Sequence, residues 1–385
     1  MTTLFLVVFL DLIGFGMIIP AFPFYAQQIG VSPSSVIFFL GLYSVGQLVG
    51  APLWGSLSDR IGRRPVLLVT LLANAAAALM LAYSTTGTML AVSRVVAGLA
   101  AGNISAAFAY VTDITSEETR PKALGMLGAA FGMGFILGPA LGGLLAGSNE
   151  NDPQAIVRVA YGAALLSLLA FLLTAFRLPE SLTPEKRALG PATRAGMGTF
   201  VRRPFLRDLL LATLIVVGAI ALFQTTFALW AADRMAVGPR RLGWLYGYVG
   251  AISVAVQAGL IGKLTKRFGA SSLTRAGALC VAVGIGLLPM VHTMPLLLMA
   301  LGLFGIGSAM FNPSMSGLVA GTALPHERGA VLGAYQGAAS LGRVIGPLAA
   351  SAVARVSTLS WPFVLGAVVS LIGMVLIHTR PKHPE

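Results

Sequence analysis

Two ionisable residues sit where apolar sequence should exclude them. Asp11 lies about two turns into an apolar run that begins near Leu4, and Arg94 lies inside another, Leu90-Ala-Val-Ser-Arg94-Val-Val-Ala-Gly98. Of the 13 acidic residues Asp11 alone is expected well inside a span, with Asp113 and Asp208 at helix ends and the others in loops, linker or tail. A carboxylate in such a setting is expensive and marks function by default, and the chemistry open to it is taking up and releasing a proton. Arginine keeps its charge inside proteins, so Arg94 must face a cavity, a carboxylate or backbone carbonyls. Arg343 is the other cation inside a span, without an evident acid in its own half. It either attracts an anionic substrate group or bonds to helix carbonyls. Enzyme chemistry finds no support. No HExxH, GxSxG or P-loop spacing occurs, and His292, His326, His378 and His383 form no metal pattern. With no ATP motif, no cofactor and no metal expected, energy must come from an ion gradient. Cys280 stands alone in an apolar run and reads as a small core residue.

The elements that position these residues follow from composition. The chain has 385 residues, 56% hydrophobic and 10% charged, against about a quarter charged in soluble domains. About twelve apolar runs are long enough to cross a bilayer as helices, at roughly 4–25, 35–57, 66–84, 88–112, 122–147, 156–177, 205–231, 241–262, 272–291, 294–322, 330–354 and 361–379. They do not alternate, which excludes a transmembrane β-barrel. The 46 glycines suit helices that approach closely in lipid. The net charge of +13 does not call for nucleic acid, because 19 of the 26 Lys and Arg fall beside segments on the side of Met1. The other seven are Arg158, Arg234, Arg240, Arg241 and Arg355 on the opposite side, and Arg94 and Arg343 within spans. That bias places both termini in the cytoplasm of a multi-pass cell (inner) membrane protein. The first segment has no basic leader or cleavage site and is expected to be a retained helix.

The chain divides in two. Residues 1–178 form an N-terminal six-helix bundle, 179–204 a proline-rich charged linker on the cytoplasmic side, and 205–385 a C-terminal six-helix bundle. An offset of 208 carries Arg120, Gly125, Gly134, Gly138 and Pro139 onto Arg328, Gly333, Gly342, Gly346 and Pro347, and an offset of 207 carries Gly55 and Gly62 onto Gly262 and Gly269. Duplicated six-helix halves are a transporter signature. A channel would not explain them.

Gly55-Ser-Leu-Ser-Asp59-Arg60-Ile-Gly62-Arg63-Arg64-Pro65 resembles the signature between helices two and three of the major facilitator superfamily, and the likeness extends over nearly the whole chain. Read on its own, this turn needs glycine, its Asp59 can cap a helix N-terminus, and its arginines can meet carboxylates or lipid head groups. The resemblance implies an all-α fold of twelve transmembrane helices in two pseudo-symmetric bundles. It also implies a conformational latch of Gly55, Asp59, Arg60, Gly62, Arg63 and Asp113, with Arg63 on Asp113 and Asp59 near Arg328 to Leu332. Lys266 replaces the expected acid in the second copy. Gly125, Gly134, Gly138-Pro139 and Gly142 match the superfamily's antiporter motif, which favours export. The run of Asp11, Gly14, Gly16, Pro20 and Pro23 is similar to the first helix of the tetracycline exporters, the nearest group among the drug/proton antiporters. Arg94 matches the motif associated with proton coupling, and Asp11 and Arg94 are expected to couple through a polar cavity rather than as a direct ion pair. Where the tetracycline exporters carry a histidine in helix eight and an aspartate in helix nine, this chain is apolar, near Ile252 and Val281.

The resulting expectation is a secondary active transporter that exports small lipophilic or amphipathic compounds, multidrug or tetracycline-like, by proton antiport with alternating access. Protons, a small-molecule substrate and membrane lipids are its partners, and a monomer is expected. Asn103, Phe108, Gln224, Trp230, Asn312, Tyr335, Gln336 and Arg343 are candidate substrate-cavity residues, Gln224 and Trp230 keeping the exporters' six-residue spacing. The competing expectation is proton-coupled uptake or facilitated transport of a sugar, metabolite or lipid, which the scarcity of hydrogen-bonding side chains in the helices disfavours.

Overall fold

In the computed structural model, the described residues are 1–116, 118–149, 152–182, 203–323 and 327–377. They form helices joined by short turns, because apolar backbone in lipid must satisfy its own hydrogen bonds. The helices are α1 (Thr2–Gln28), α2 (Pro33–Ile61), α3 (Arg63–Ala82), α4 (Gly87–Ile114), α5 (Arg120–Ala146), α6 (Gln154–Arg177), α7 (Pro204–Met235), α8 (Pro239–Phe268), α9 (Ala270–Met290), α10 (Met294–Ala320), α11 (Arg328–Val356) and α12 (Trp361–Leu376). Among the described residues eleven are long and apolar enough to cross a membrane, and α12 is a shorter apolar helix.

Local sequence sets the boundaries. Ser32 caps α2 by accepting from the Ser35 amide, with Pro33 at the first helical position, and Thr86 caps α4 by accepting from the Met89 amide. Gly62 (φ +112°) and Gly269 (φ +80°) close α2 and α8 in a backbone region that other residues resist, so the repeat seen at offset 207 has a structural counterpart. Several helices outrun the expected spans. Asp59 and Asp233, expected in loops, therefore lie in the last turns of α2 and α7. Lys263, Lys266 and Arg267 lie in the last turns of α8. Two helices are irregular inside: α4 passes through a 3₁₀ turn at Ala101–Asn103, and α8 through a π turn at Val256–Leu260. Most of the expected linker, residues 183–202, lies outside the described residues.

The chain packs as two units, Met1–Ala192 with Ala231–Gly250, and Thr193–Trp230 with Ala251–Glu385. They depart from the sequence halves over 231–250, where the first turns of α8 pack against α5. In the first unit α1 is the central helix, flanked by α5 and α6, and α2 packs on α4. Leu4, Val8, Leu12, Leu67, Tyr110 and Leu127 build its core. The second unit is held by paired α9 and α10 and by an aromatic cluster of Phe223, Phe227, Trp230, Phe304 and Phe363. Such ring pairs contribute about 0.5–1.5 kcal/mol each beyond burial. Cys280 is half-buried.

Candidate functional site

The Asp11 carboxylate meets two carboxamides. Oδ1 accepts from Asn74 Nδ2 of α3 at 2.9 Å, and Oδ2 accepts from Asn103 Nδ2 of α4 at 3.2 Å. Asn103 is only 4% exposed and ends the 3₁₀ turn that splits α4. Expected to face substrate, it instead holds Asp11, and Asn74 had not been singled out from the sequence. The signal for both is their rarity, since carboxamides in apolar spans need partners.

Arg94 lies 3% exposed. Its Nε reaches Ser93 Oγ at 3.5 Å, its guanidinium stands 5.3 Å from the centre of the Phe22 ring, and Nη2 has no hydrogen-bond partner. No ion pair joins it to Asp11 among the described residues. The two instead line one cavity of about 40 Å³, with Tyr43 of α2, Asn74 and Ala78 of α3, and Ala163 and Ser167 of α6. Its wall is mostly apolar, with Leu12, Phe15, Ile18 and Ile104 beside the polar groups of Asp11, Tyr43, Asn74, Arg94 and Ser167. The geometry supplies one carboxyl group and one fixed positive charge around a shared small cavity.

The α2–α3 turn holds a second cluster. Arg63, 8% exposed in its side chain, bonds Asp59, donates from Nε to Asp113 Oδ2 at 3.0 Å and from Nη1 to Ser58 Oγ at 2.8 Å. Asp59 does not cap α3 as expected, because it belongs to the last turn of α2 and turns toward Arg63. The cap is Glu180, which accepts from the Arg63 and Arg64 amides at 2.9 and 3.1 Å and so places a negative charge at the N-terminus of α3. Ser181 donates to Asp113 Oδ2 at 3.0 Å, and Arg64 Nη2 donates to the Ala175 carbonyl at the end of α6 at 2.6 Å. The chain leaving α6 is thus fastened to this turn. Glu180 reads as linker charge in the sequence, since nothing local reveals a bond across 117 residues. The side chain of Arg328 lies outside the described residues.

The antiporter-motif glycines do not act alike. A Cβ at Gly138 would lie 2.8 Å from Gly16 Cα and 2.9 Å from the Ile13 carbonyl, one at Gly134 would lie 2.7 Å from Leu12 Cβ, and one at Gly142 would strike the Met17 carbonyl. These three press α5 onto the part of α1 that follows Asp11. On α5's other side, Gly143 meets Gly243 of α8, where a Cβ would lie 2.9 Å from Gly243 Cα. Gly125 faces open space. Gly55 has only Ser105 nearby, and Arg60 enters none of the Arg63 contacts.

In the second unit the candidates separate. Gln224, Asn312 and Gln336 are exposed. Asn312 donates to the Ser308 carbonyl at 3.2 Å, and Tyr335, 5% exposed, donates to the Asn312 carbonyl at 3.3 Å, tying α11 to α10. Arg343 Nη2 donates to Ser340 Oγ at 3.0 Å. Trp230, 1% exposed, donates from Nε1 to Ser360 Oγ at 3.1 Å and packs against Phe227 and Phe363. The six-residue spacing therefore does not bring Gln224 and Trp230 onto one surface. In the first unit Phe108 is 39% exposed and stacks on Phe131.

The family profile "Major Facilitator Superfamily" matches residues 4–293 and 258–385. Tetracycline resistance protein, class G, of Vibrio anguillarum is 30% identical, with 98% of this chain and 96% of the relative covered. Multidrug resistance protein 1 of Bacillus subtilis is 27% identical, with 98% and 95% covered. Among solved structures, that of the human organic anion transporter MFSD10 (TETRAN) superposes with a TM-score of 0.73 at 25% identity, covering 98% of each chain.

Proposed function

We propose that this chain, which belongs to the Major Facilitator Superfamily and is a multi-pass membrane transporter rather than an enzyme, exports small lipophilic or amphipathic compounds in exchange for protons. The single observation that carries the reading is Asp11, an interior carboxylate held by two neutral donors and in no ion pair among the described residues. Such a group can take a proton without breaking an ion pair. Proton and cargo then compete in effect, each favouring a different conformation by its differential affinity. Arg94 lends the same cavity a permanent positive charge. The drug-resistance relatives support export and a lipophilic cargo.

The remaining residues take supporting roles. Gly134, Gly138, Pro139 and Gly142 let α5 seat against α1, so a movement of the helix bearing Asp11 is passed to α5 directly. Gly55, Asp59, Arg60, Gly62, Arg63 and Asp113 act as a latch on the cytoplasmic side of the cell (inner) membrane, the side that holds both termini. Phe108, Gln224, Asn312, Gln336 and Arg343 offer cargo contacts, whereas Asn103, Trp230 and Tyr335 act through the Asp11 side chain, the Ser360 hydroxyl and the Asn312 carbonyl that they hold.

Everted vesicles from cells lacking their own exporters test the direction. Acidification of the vesicle lumen should drive accumulation of a fluorescent lipophilic dye when the chain is present. Absence of dye accumulation together with sugar uptake in whole cells would establish the uptake reading instead.

A further inference from the structure

We propose that Asn74 and Asn103 form a two-armed clamp that grips ionised Asp11 and releases one arm on protonation, delivering the change to α4. The inference rests on the reading of Asp11 as the proton-binding group. Each carboxylate oxygen has one carboxamide donor, at 2.9 Å on Oδ1 and 3.2 Å on Oδ2, so the arrangement is satisfied in the ionised state. A proton added to either oxygen creates a hydroxyl facing an NH2 group, two donors in opposition. The carboxamide must then rotate to offer its oxygen or move away. The longer bond, to Asn103, is the weaker of the two and yields first.

What yields is attached to a hinge. Asn103 terminates the single 3₁₀ turn inside α4, and a 3₁₀ stretch within a long helix is a natural place for it to bend. Beyond that turn runs the rigid segment Ile104–Ile114, whose penultimate residue, Asp113, holds Arg63 and Ser181. Protonation of Asp11 therefore reaches the α2–α3 cluster through one short helix. The groups facing Asp11 support this division of labour. Arg94 and Tyr43 are the charged and titratable groups on the shared cavity, and neither bonds Asp11. From α3 and α6 come Asn74, Ala78, Ala163 and Ser167, and α5 presents glycines to α1.

Infrared titration of the purified full-length protein in liposomes tests the clamp without transport. The protonated-carboxyl band that Asp11→Asn removes is followed against pH in wild type, Asn74→Ala, Asn103→Ala and Asn103→Ser. Loss of a donor to the ionised form should move the midpoint of that band to higher pH by about one unit, a tenfold change in proton affinity, in each alanine variant. Asn103→Ser, which keeps a donor, should fall between and preserves the test if Asn103→Ala does not fold. Hydrogen exchange over 104–114 should differ above and below the midpoint in wild type and lose that difference in the Asn103 variants. Unchanged midpoints with the Asp11 band present overturn the clamp and leave the proton-binding reading standing. A band that survives Asp11→Asn in full overturns both.

Discussion

Replacing Asp11 by Asn should reduce the chain from a pump to an equilibrating carrier, and the size of what is lost can be stated. Among the described residues Asp11 is the single carboxylate deep in a span, because Asp59, Asp113 and Asp233 lie in terminal turns and Asp208 is the fifth residue of α7. One interior acid carries one proton per cycle. One pH unit across the membrane stores about 1.36 kcal/mol per proton, which sustains a tenfold concentration ratio of cargo when exchange is electroneutral. Purified protein in liposomes, with the membrane potential clamped at zero and a monovalent lipophilic cation such as ethidium as cargo, gives the measurement. Wild type should level off near tenfold at one unit and near a hundredfold at two. Asp11→Asn should level off at equality at every pH difference, while still exchanging labelled for unlabelled cargo. Two results would refute the reasoning: a variant that still builds a gradient, or a wild-type ratio well above tenfold per unit, which would demand a second interior acid.

The antiporter-motif glycines should separate by contact. Gly142→Ala, whose Cβ meets the Met17 carbonyl, should cost about 1–3 kcal/mol and lower the folded yield on size-exclusion chromatography, whereas Gly125→Ala, facing open space, should be neutral. Trp230→Ala should cost about 3–5 kcal/mol by emptying the aromatic cluster and stranding Ser360, read as a lower unfolding temperature in detergent, with Trp230→Phe much milder. Arg63→Met and Asp113→Asn should be strongly non-additive in a double-mutant cycle of thermal stability, since either alone leaves a largely buried charge short of its partner. Asp152 is held below the ordinary carboxylate range first by its hydrogen bond from Arg158 and then by the Gln154 amide. A depressed carboxylate stabilises above its unfolded value and loses that contribution as pH falls through its folded one. Asp152→Asn should therefore lower the unfolding temperature slightly at pH 7, and that difference should shrink as pH falls below the ordinary carboxylate value.

The fold was open to sequence reasoning because hydropathy in lipid is a strong and local signal. Among the described residues the twelve runs yielded twelve helices, and the glycines at offset 207 reappear as the positive-φ closures of α2 and α8. Arg63 and Asp113 meet as the family likeness implied. What stayed hidden were partners far apart in sequence. Glu180 caps a helix that begins more than a hundred residues earlier, and Asn74 lies 63 residues from Asp11, so no spacing rule could join them. The partner of Trp230 is hidden for a related reason: the sequence shows an aromatic with a polar edge, and only the fold reveals Ser360 satisfying that edge in the interior.

The duplicated halves share packing but not chemistry. In the first unit Gly138 presses on Gly16, and in the second a Cβ at Gly346 would strike the Gly218 carbonyl, so each Gly-Pro helix crosses its neighbour through glycine. Carried over by the same offset, however, Arg94 becomes Gly302, Asn103 becomes Phe311 and Asp113 becomes Gly321. Five residues before Gly218, where Asp11 stands before Gly16, there is Thr213, whose hydroxyl returns to the Leu209 carbonyl of its own helix. Phe311 in turn meets Gly277 through its backbone, its amide nitrogen lying 2.7 Å from where a Cβ there would stand, so the place of a buried carboxamide is taken by a close backbone crossing of α10 on α9. A transmembrane half can keep its helix crossings after losing its ionisable groups, because small-residue packing holds the helices together without them. The reverse does not hold, since Asp11, Asn74 and Asn103 meet only while α1, α3 and α4 are correctly spaced. On the proposed reading of Asp11 as the proton-binding group, that chemistry belongs to one half of a twofold scaffold, which is the reason to expect one proton per cycle rather than two.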